Sequence, residues 1–106
     1  MDDDAEQLSI VVEQHDDRML IRVRGELDIV TAPMLERALD RANSEIVVDL
    51  QDLAFLDAKG LGTLAHASTR AERHGDRLVV VNADPFTQRM FEITELDHLL
   101  SGSDAP

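Results

Sequence analysis

Two short runs rich in Val, Ile and Leu lie close together near the start of the chain. The first spans residues 8–14 (LSIVVEQ) and the second residues 19–25 (MLIRVRG), and both have the composition of β-strands. A polar cluster at residues 15–18 separates them and is short enough to form a tight turn. The pattern therefore predicts a β-hairpin at the start of the fold.

The following segment has the periodicity of an amphipathic helix. Apolar residues recur at intervals of three and four, at Leu35, Ala38, Leu39 and Ala42. Thr31 is a residue type that caps free backbone amides, and Pro33 suits the first turn of a helix. We therefore expect a helix that begins at Thr31 as its cap and ends near residues 43–44.

The second half of the chain alternates apolar runs with helical patterns. Residues 45–50, which contain IVV, and residues 78–81 (LVVV) have the apolar content typical of strands buried on both faces, and a loop is expected at 51–56. A helix is predicted over residues 58–73. A third begins at Asp84 and Pro85, with Phe86, Met90 and Ile93 on its inner side, and a last short helix uses Leu96, Leu99 and Leu100.

This order of elements predicts an α/β fold. Right-handed crossovers between the later strands make them parallel, whereas the hairpin is antiparallel. We expect a small, mixed but mostly parallel sheet of about four to five strands flanked by about four helices. The predicted domain spans residues 8–100, with a flexible acidic tail at 1–7 and a flexible tail at 101–106.

The helix at 58–73 has two contrasting faces when it is drawn at 100° per residue. The predicted core face consists of Leu61, Leu64, Ala65, Ser68 and Ala71, and the opposite face of Lys59, Gly62, Thr63, His66, Arg70 and Arg73. The basic residues stand out on an acidic protein, so that face is either an ordinary solvated surface or a docking surface. Asp57 is expected to cap the helix, and Gly60 and Gly62 allow close approach of another group.

Composition narrows the possible functions. The net charge of −12 disfavours DNA, RNA and direct binding to anionic membranes. The chain has no cysteine, and its four histidines have no metal-ligand spacing, so neither a metal nor another cofactor is expected. No nucleophile elbow or phosphate-binding loop is present, which favours a binding protein over an enzyme. The acidic N-terminus is unlike a secretory signal, and we expect a cytoplasmic location.

The stretch VVDLQDLAFLDAKGLGTL, residues 47–64, resembles the motif of the STAS family. That motif runs from a strand through D-L and an apolar pair to D-S-x-G-L-G at a helix start. Residues 25–28 (GELD), followed by Thr-Ala-Pro at 31–33, resemble a second family segment before the first helix. The resemblance covers residues 8–100 in the same order of elements and implies the STAS fold.

The resemblance also implies a function, that of an anti-anti-sigma factor. Such proteins bind a kinase-type anti-sigma factor and free a sigma factor, and phosphorylation of a Ser after the motif aspartate ends binding. Here Ala58 replaces that Ser, so the usual acceptor is missing, and Thr31 or Thr63 is a poor substitute. The implied partner-binding residues are Asp28, Thr31, Asp57, Ala58, Lys59, Gly60, Gly62, Thr63, His66 and Arg70.

Three other interpretations stay open at this point. A STAS subunit of a lipid-transport ABC complex, or of a signalling scaffold, would use the same helix against a different protein. A receiver-like protein would use Asp57 as a phosphoacceptor, with Asp16 and Asp17 holding magnesium. Nucleotide binding, which has been proposed for some STAS domains, has no support in the motifs of this chain.

Overall fold

A computed structural model describes residues 7–101, so residues 1–6 and 102–106 of the predicted tails lie outside the described part. The elements are β1 (Leu8–His15), β2 (Arg18–Leu27), α1 (Ala32–Asp40), β3 (Glu45–Asp49), β4 (Leu53–Leu56), α2 (Ala58–Arg73), β5 (Leu78–Val81), α3 (Pro85–Ile93) and a 3₁₀ turn, Asp97–Leu99. The predicted order of elements is confirmed, with one additional strand.

The sheet is mixed, as the sequence predicts. Its strands run in the order β1-β2-β3-β5, with the hairpin β1–β2 antiparallel and the pairs β2–β3 and β3–β5 parallel. The α/β class and the mostly parallel sheet are therefore confirmed.

The prediction of a loop at residues 51–56 is wrong, because Leu53–Leu56 form β4. This strand pairs in parallel with residues 25–27 of β2, and the register shifts within this pairing, between Gly25 and Glu26. Gly25 has φ +105°, a conformation that favours glycine, and a Cβ there would collide with the backbone of Gln7. Residues 18–22 of β2 pair with β3, and residues 25–27 pair with β4.

Within residues 7–101, the helices pack against one face of the sheet. Along β2, Met19, Ile21 and Val23 are buried, whereas the intervening Arg22 and Arg24 are exposed. The buried side chains join those of α1, α2 and α3 in a single aliphatic core that includes Phe91. The expectation that residues 45–50 and 78–81 are buried on both faces is therefore wrong, because the burial of β3 and β5 alternates.

Helix α3 lies with a different face inward from the one predicted. Its buried residues are Thr87 and Phe91, whereas Phe86 and Ile93 are 71% and 68% exposed. Met90 is half-buried against the core. Periodicity identified the helix but selected the wrong apolar face, because both faces contain an aromatic residue.

Candidate functional site: the start of helix α2

The site lies where β2 and β4 end and two helices begin. The loop 28–31 joins β2 to α1, and Asp57 joins β4 to α2. The backbone amide of Asp57 donates a hydrogen bond to the carbonyl of Leu27 (3.2 Å), because β2 and β4 end side by side. Two sequence motifs that are about 30 residues apart along the chain therefore meet in space.

The carboxylate of Asp57 holds the two motifs together. Its Oδ1 accepts a hydrogen bond from the amide of Gly60 (2.9 Å), so Asp57 is the N-cap of α2, as predicted. Its Oδ2 accepts a hydrogen bond from the amide of Ile29 (3.2 Å) in the loop before α1. One side chain thus fixes both the helix start and the position of the loop.

Asp28 shapes the same loop from within. Its Oδ1 accepts hydrogen bonds from the amides of Val30 (2.9 Å) and Thr31 (3.0 Å). Thr31 stands at the N-cap position of α1, as predicted, but the expected side-chain cap bond is absent, because its hydroxyl donates to the carbonyl of Glu26 (2.8 Å). Thr31 is 3% exposed, so it supports the loop from the inside.

The loop presents two large apolar side chains that the sequence interpretation missed. Ile29 is 67% exposed and Val30 is 72% exposed. Their amides are bound by carboxylates, so the backbone is held while the side chains stay in solvent. The signal was present in the sequence as an apolar pair directly after GELD, outside any helical or strand periodicity. Phe55 of β4, also missed, is 50% exposed.

The first turn of α2 alternates between exposed and buried positions. Ala58 and Lys59 are exposed, whereas Gly60 is buried. A Cβ on Gly60 would lie 2.7 Å from Leu27 Cγ and 2.9 Å from the Leu27 carbonyl oxygen, so only glycine fits there. Gly62 has open space around it. Gly60 therefore brings the helix against β2, and Gly62 leaves the outer surface flat.

Two of the other predicted α2 positions are placed differently by the structure. Thr63, expected on the solvent side, is 5% exposed, and its hydroxyl donates to the carbonyl of Lys59 (3.1 Å). Ala67 replaces Ala65 on the buried face. The buried face of α2 therefore includes Thr63, which polarity alone assigns to the solvent side. Thr63 can be buried because its hydroxyl is satisfied by a hydrogen bond within the helix.

The remaining predicted residues extend along the helix. His66 is exposed and borders a shallow depression with Glu36, Ala58, Lys59, Gly62 and Thr63. Arg70 lies three turns from Ala58, about 18 Å along the axis, and its guanidinium is paired with Asp40 (2.9 Å). We use "docking surface" for the exposed residues around the start of α2, namely Ile29, Val30, Ala58, Lys59, Gly62 and His66.

Neither a metal site nor a receiver-type acidic cluster is formed by the described residues. Within residues 7–101, no group of three or more His, Cys, Asp or Glu side chains could hold a metal ion. Asp16 and Asp17 lie in the β1–β2 turn, at the opposite end of β2 from Asp57, so the magnesium site of a receiver is not formed. No helix in this part of the chain has the length and apolar character needed to cross a membrane.

Comparison with known proteins finds similar sequences over most of the chain. A family model described as "Mlab, STAS domain" matches residues 10–101. The anti-sigma-B factor antagonist of Listeria monocytogenes is 32% identical over 98 residues, covering 88% of this chain and 86% of the relative.

Solved structures agree with the sequence comparison. An anti-sigma factor antagonist from Mycobacterium paratuberculosis superposes with a TM-score of 0.73 and 34% identity, covering 89% of this chain and 83% of that one. The Bacillus cell fate determinant SpoIIAA, in its phosphorylated form, has the same fold with a TM-score of 0.73 at 20% identity, covering 87% and 88%. The STAS fold predicted from the motifs is confirmed.

Proposed function

The chain belongs to the STAS domain family, and we propose that it acts as an anti-sigma factor antagonist, binding an anti-sigma factor and thereby freeing a sigma factor. The main support is the docking surface, where an uncharged Ala58 lies exposed directly after Asp57, whose carboxylate binds the loop that carries the exposed Ile29 and Val30. Relatives over most of the chain are anti-sigma factor antagonists. A surface of this kind favours protein binding over catalysis.

The chemistry of the docking surface indicates how the partner is held. Ile29 and Val30 supply the apolar contact area, and their fixed backbone lowers the entropy lost on binding. Lys59 adds a positive charge at the helix start, which suits a carboxylate-rich patch on the partner. We propose that the partner is a kinase-type anti-sigma factor.

We further propose that binding is not switched by phosphorylation at the usual position. Ala58 has no hydroxyl, and the nearest substitutes, Thr31 and Thr63, are 3% and 5% exposed and donate to backbone carbonyls. A kinase could reach either hydroxyl only after local unfolding. The protein is then controlled by its abundance.

The test uses the purified chain and the kinase-type anti-sigma factors of the same organism. Calorimetry should detect binding of the wild type, and Ala58→Asp should weaken it about tenfold or more, because the new charge enters a desolvated contact. Ser9→Asp adds the same charge on exposed β1 and should leave affinity unchanged. Lys59→Ala should reduce the salt dependence of binding.

Phosphorylation is tested separately by intact mass after incubation with kinase and ATP. We expect no added phosphate on the wild type and one on Ala58→Ser. A phosphate on the wild type would contradict the lack of a switch. Wild-type capture of an ATPase subunit, with no anti-sigma factor bound, would instead favour the second candidate, a STAS subunit of a lipid-transport ABC complex or signalling scaffold.

A further inference from the structure

Helix α3 has a second apolar face that the fold leaves exposed. Phe86, Met90 and Ile93 are spaced at i, i+4 and i+7, so they lie on one side of the helix. Phe86 and Ile93 are more than two-thirds exposed, and Met90 is half-buried. Thr87 and Phe91 hold the helix to the core from the other side. We call Phe86, Met90 and Ile93 the α3 stripe.

The C-terminal end of α3 is strongly negative. Glu92, Glu95 and Asp97 are exposed, and none of the ion pairs found within residues 7–101 involves them. The last turn of the helix has no basic residue, so the partial negative charge of its carbonyl end adds to the carboxylates. Arg89 is the single Lys or Arg between residues 84 and 97.

Helix α2, in contrast, has basic side chains near its negative C-terminal end. Its last turn contains Arg70 and Arg73, and Arg70 is also paired with Asp40. Basic side chains at the C-terminus of a helix oppose its negative end. The last turn of α3 has no basic side chain, so its negative end is not opposed in this way.

We propose that the α3 stripe binds a basic amphipathic helix of another protein. The apolar face of that helix covers Phe86, Met90 and Ile93, and its Lys or Arg side chains meet Glu92, Glu95 and Asp97. A second copy of this chain fits poorly, since it would bring the same carboxylates together at a net charge of −12. An anionic lipid surface is repelled for the same reason.

This surface is independent of the proposed function. It shares no residue with the docking surface, and Phe86 and Ala58 follow different strands, β5 and β4.

The probe for this inference is a synthetic helical peptide of about five turns with leucine on one face and lysine on the other. Heteronuclear NMR titration of the full chain should show shifts concentrated in residues 84–97. Phe86→Ser combined with Ile93→Ser should weaken binding about tenfold, because the apolar contact is lost. Both positions are exposed, so circular dichroism should show an intact fold.

Matched controls separate this contact from general attraction between opposite charges. Val11→Ser combined with Val12→Ser removes two exposed apolar side chains from β1 and should leave peptide affinity unchanged. Glu92→Gln combined with Glu95→Gln should flatten the salt dependence. Equal peptide affinity for the wild type and the Phe86/Ile93 variant would overturn the proposal, as would sedimentation with phosphatidylglycerol vesicles or self-association that this variant abolishes.

Discussion

Helices α2 and α3 have the same type of N-cap but differ in how much of each helix is buried. Each is capped by an aspartate whose carboxylate accepts the amide three residues on, Gly60 for Asp57 (2.9 Å) and Thr87 for Asp84 (2.7 Å). Yet α2 has 16 residues and seven buried positions, whereas α3 has nine residues and two buried positions. The comparison shows that an N-cap and the spacing of apolar residues determine where a helix forms. The position of the helix against the sheet determines which of its faces is buried.

The largest expected effect contrasts the two phenylalanines of α3. Phe91→Ala should lower the free energy of unfolding by about 3–5 kcal/mol, because the side chain is fully buried. Phe86→Ala, five residues earlier on the outer face, should change it by less than about 0.5 kcal/mol. Urea denaturation followed by circular dichroism measures both. Similar losses for the two variants would place Phe86 in the core and remove the contrast between the faces.

A smaller effect is expected from the two glycines of α2. Gly60→Ala should cost about 1–3 kcal/mol, because the new Cβ meets the Leu27 carbonyl at 2.9 Å and the helix must move. Gly62→Ala should stabilise the protein by about 0.5–1 kcal/mol, since its surroundings are open and alanine favours the helix. The same urea experiment compares them. A stabilising Gly60→Ala would mean that α2 does not lie against β2 as closely as described.

The smallest effect concerns the cap of α3 and depends on pH. The hydrogen bond from the Thr87 amide to Asp84 lowers the pKa of that carboxyl below its usual value. A lowered folded-state pKa contributes stability above the unfolded pKa of about 3.9, and this is lost as pH falls through the folded-state value.

The variant that isolates this contribution is Asp84→Asn, which keeps a capping side chain but cannot titrate. The wild type should be the more stable of the two at neutral pH, and the difference should shrink at about pH 3. Unfolding midpoints at both pH values measure this difference. A gap that is constant with pH would show that the charge of Asp84 contributes nothing.

The sequence was sufficient for features that depend on local patterns. The Asp57 cap, the start of α3 at residues 84–85, the span of α2 and the parallel strand at 78–81 follow from residue type and spacing, and the structure confirms them. The STAS motif supplied the fold because its two segments have fixed positions in that topology.

The features that were missed depend on tertiary placement. Strand β4 exists through its pairing with residues 25–27 of β2, beyond the end of the β2–β3 pairing, and no local pattern in residues 51–56 reveals that partner. The face of α3 was misassigned because two apolar faces compete, and the position of the sheet decides between them. Thr31 was read as a cap from its residue type, but burial directs its hydroxyl to Glu26. Ile29 and Val30 were missed because apolar residues in a loop follow no period.

The hydrogen bonds of the loop before α1 have a consequence for how such proteins diverge. At residues 29 and 30, Asp57 and Asp28 bind the backbone amides, so the loop keeps its shape whatever side chains stand there, proline excepted. After gene duplication, substitutions at residues 29 and 30 could therefore change which protein is bound, and so prevent cross-talk between the copies, without altering the fold.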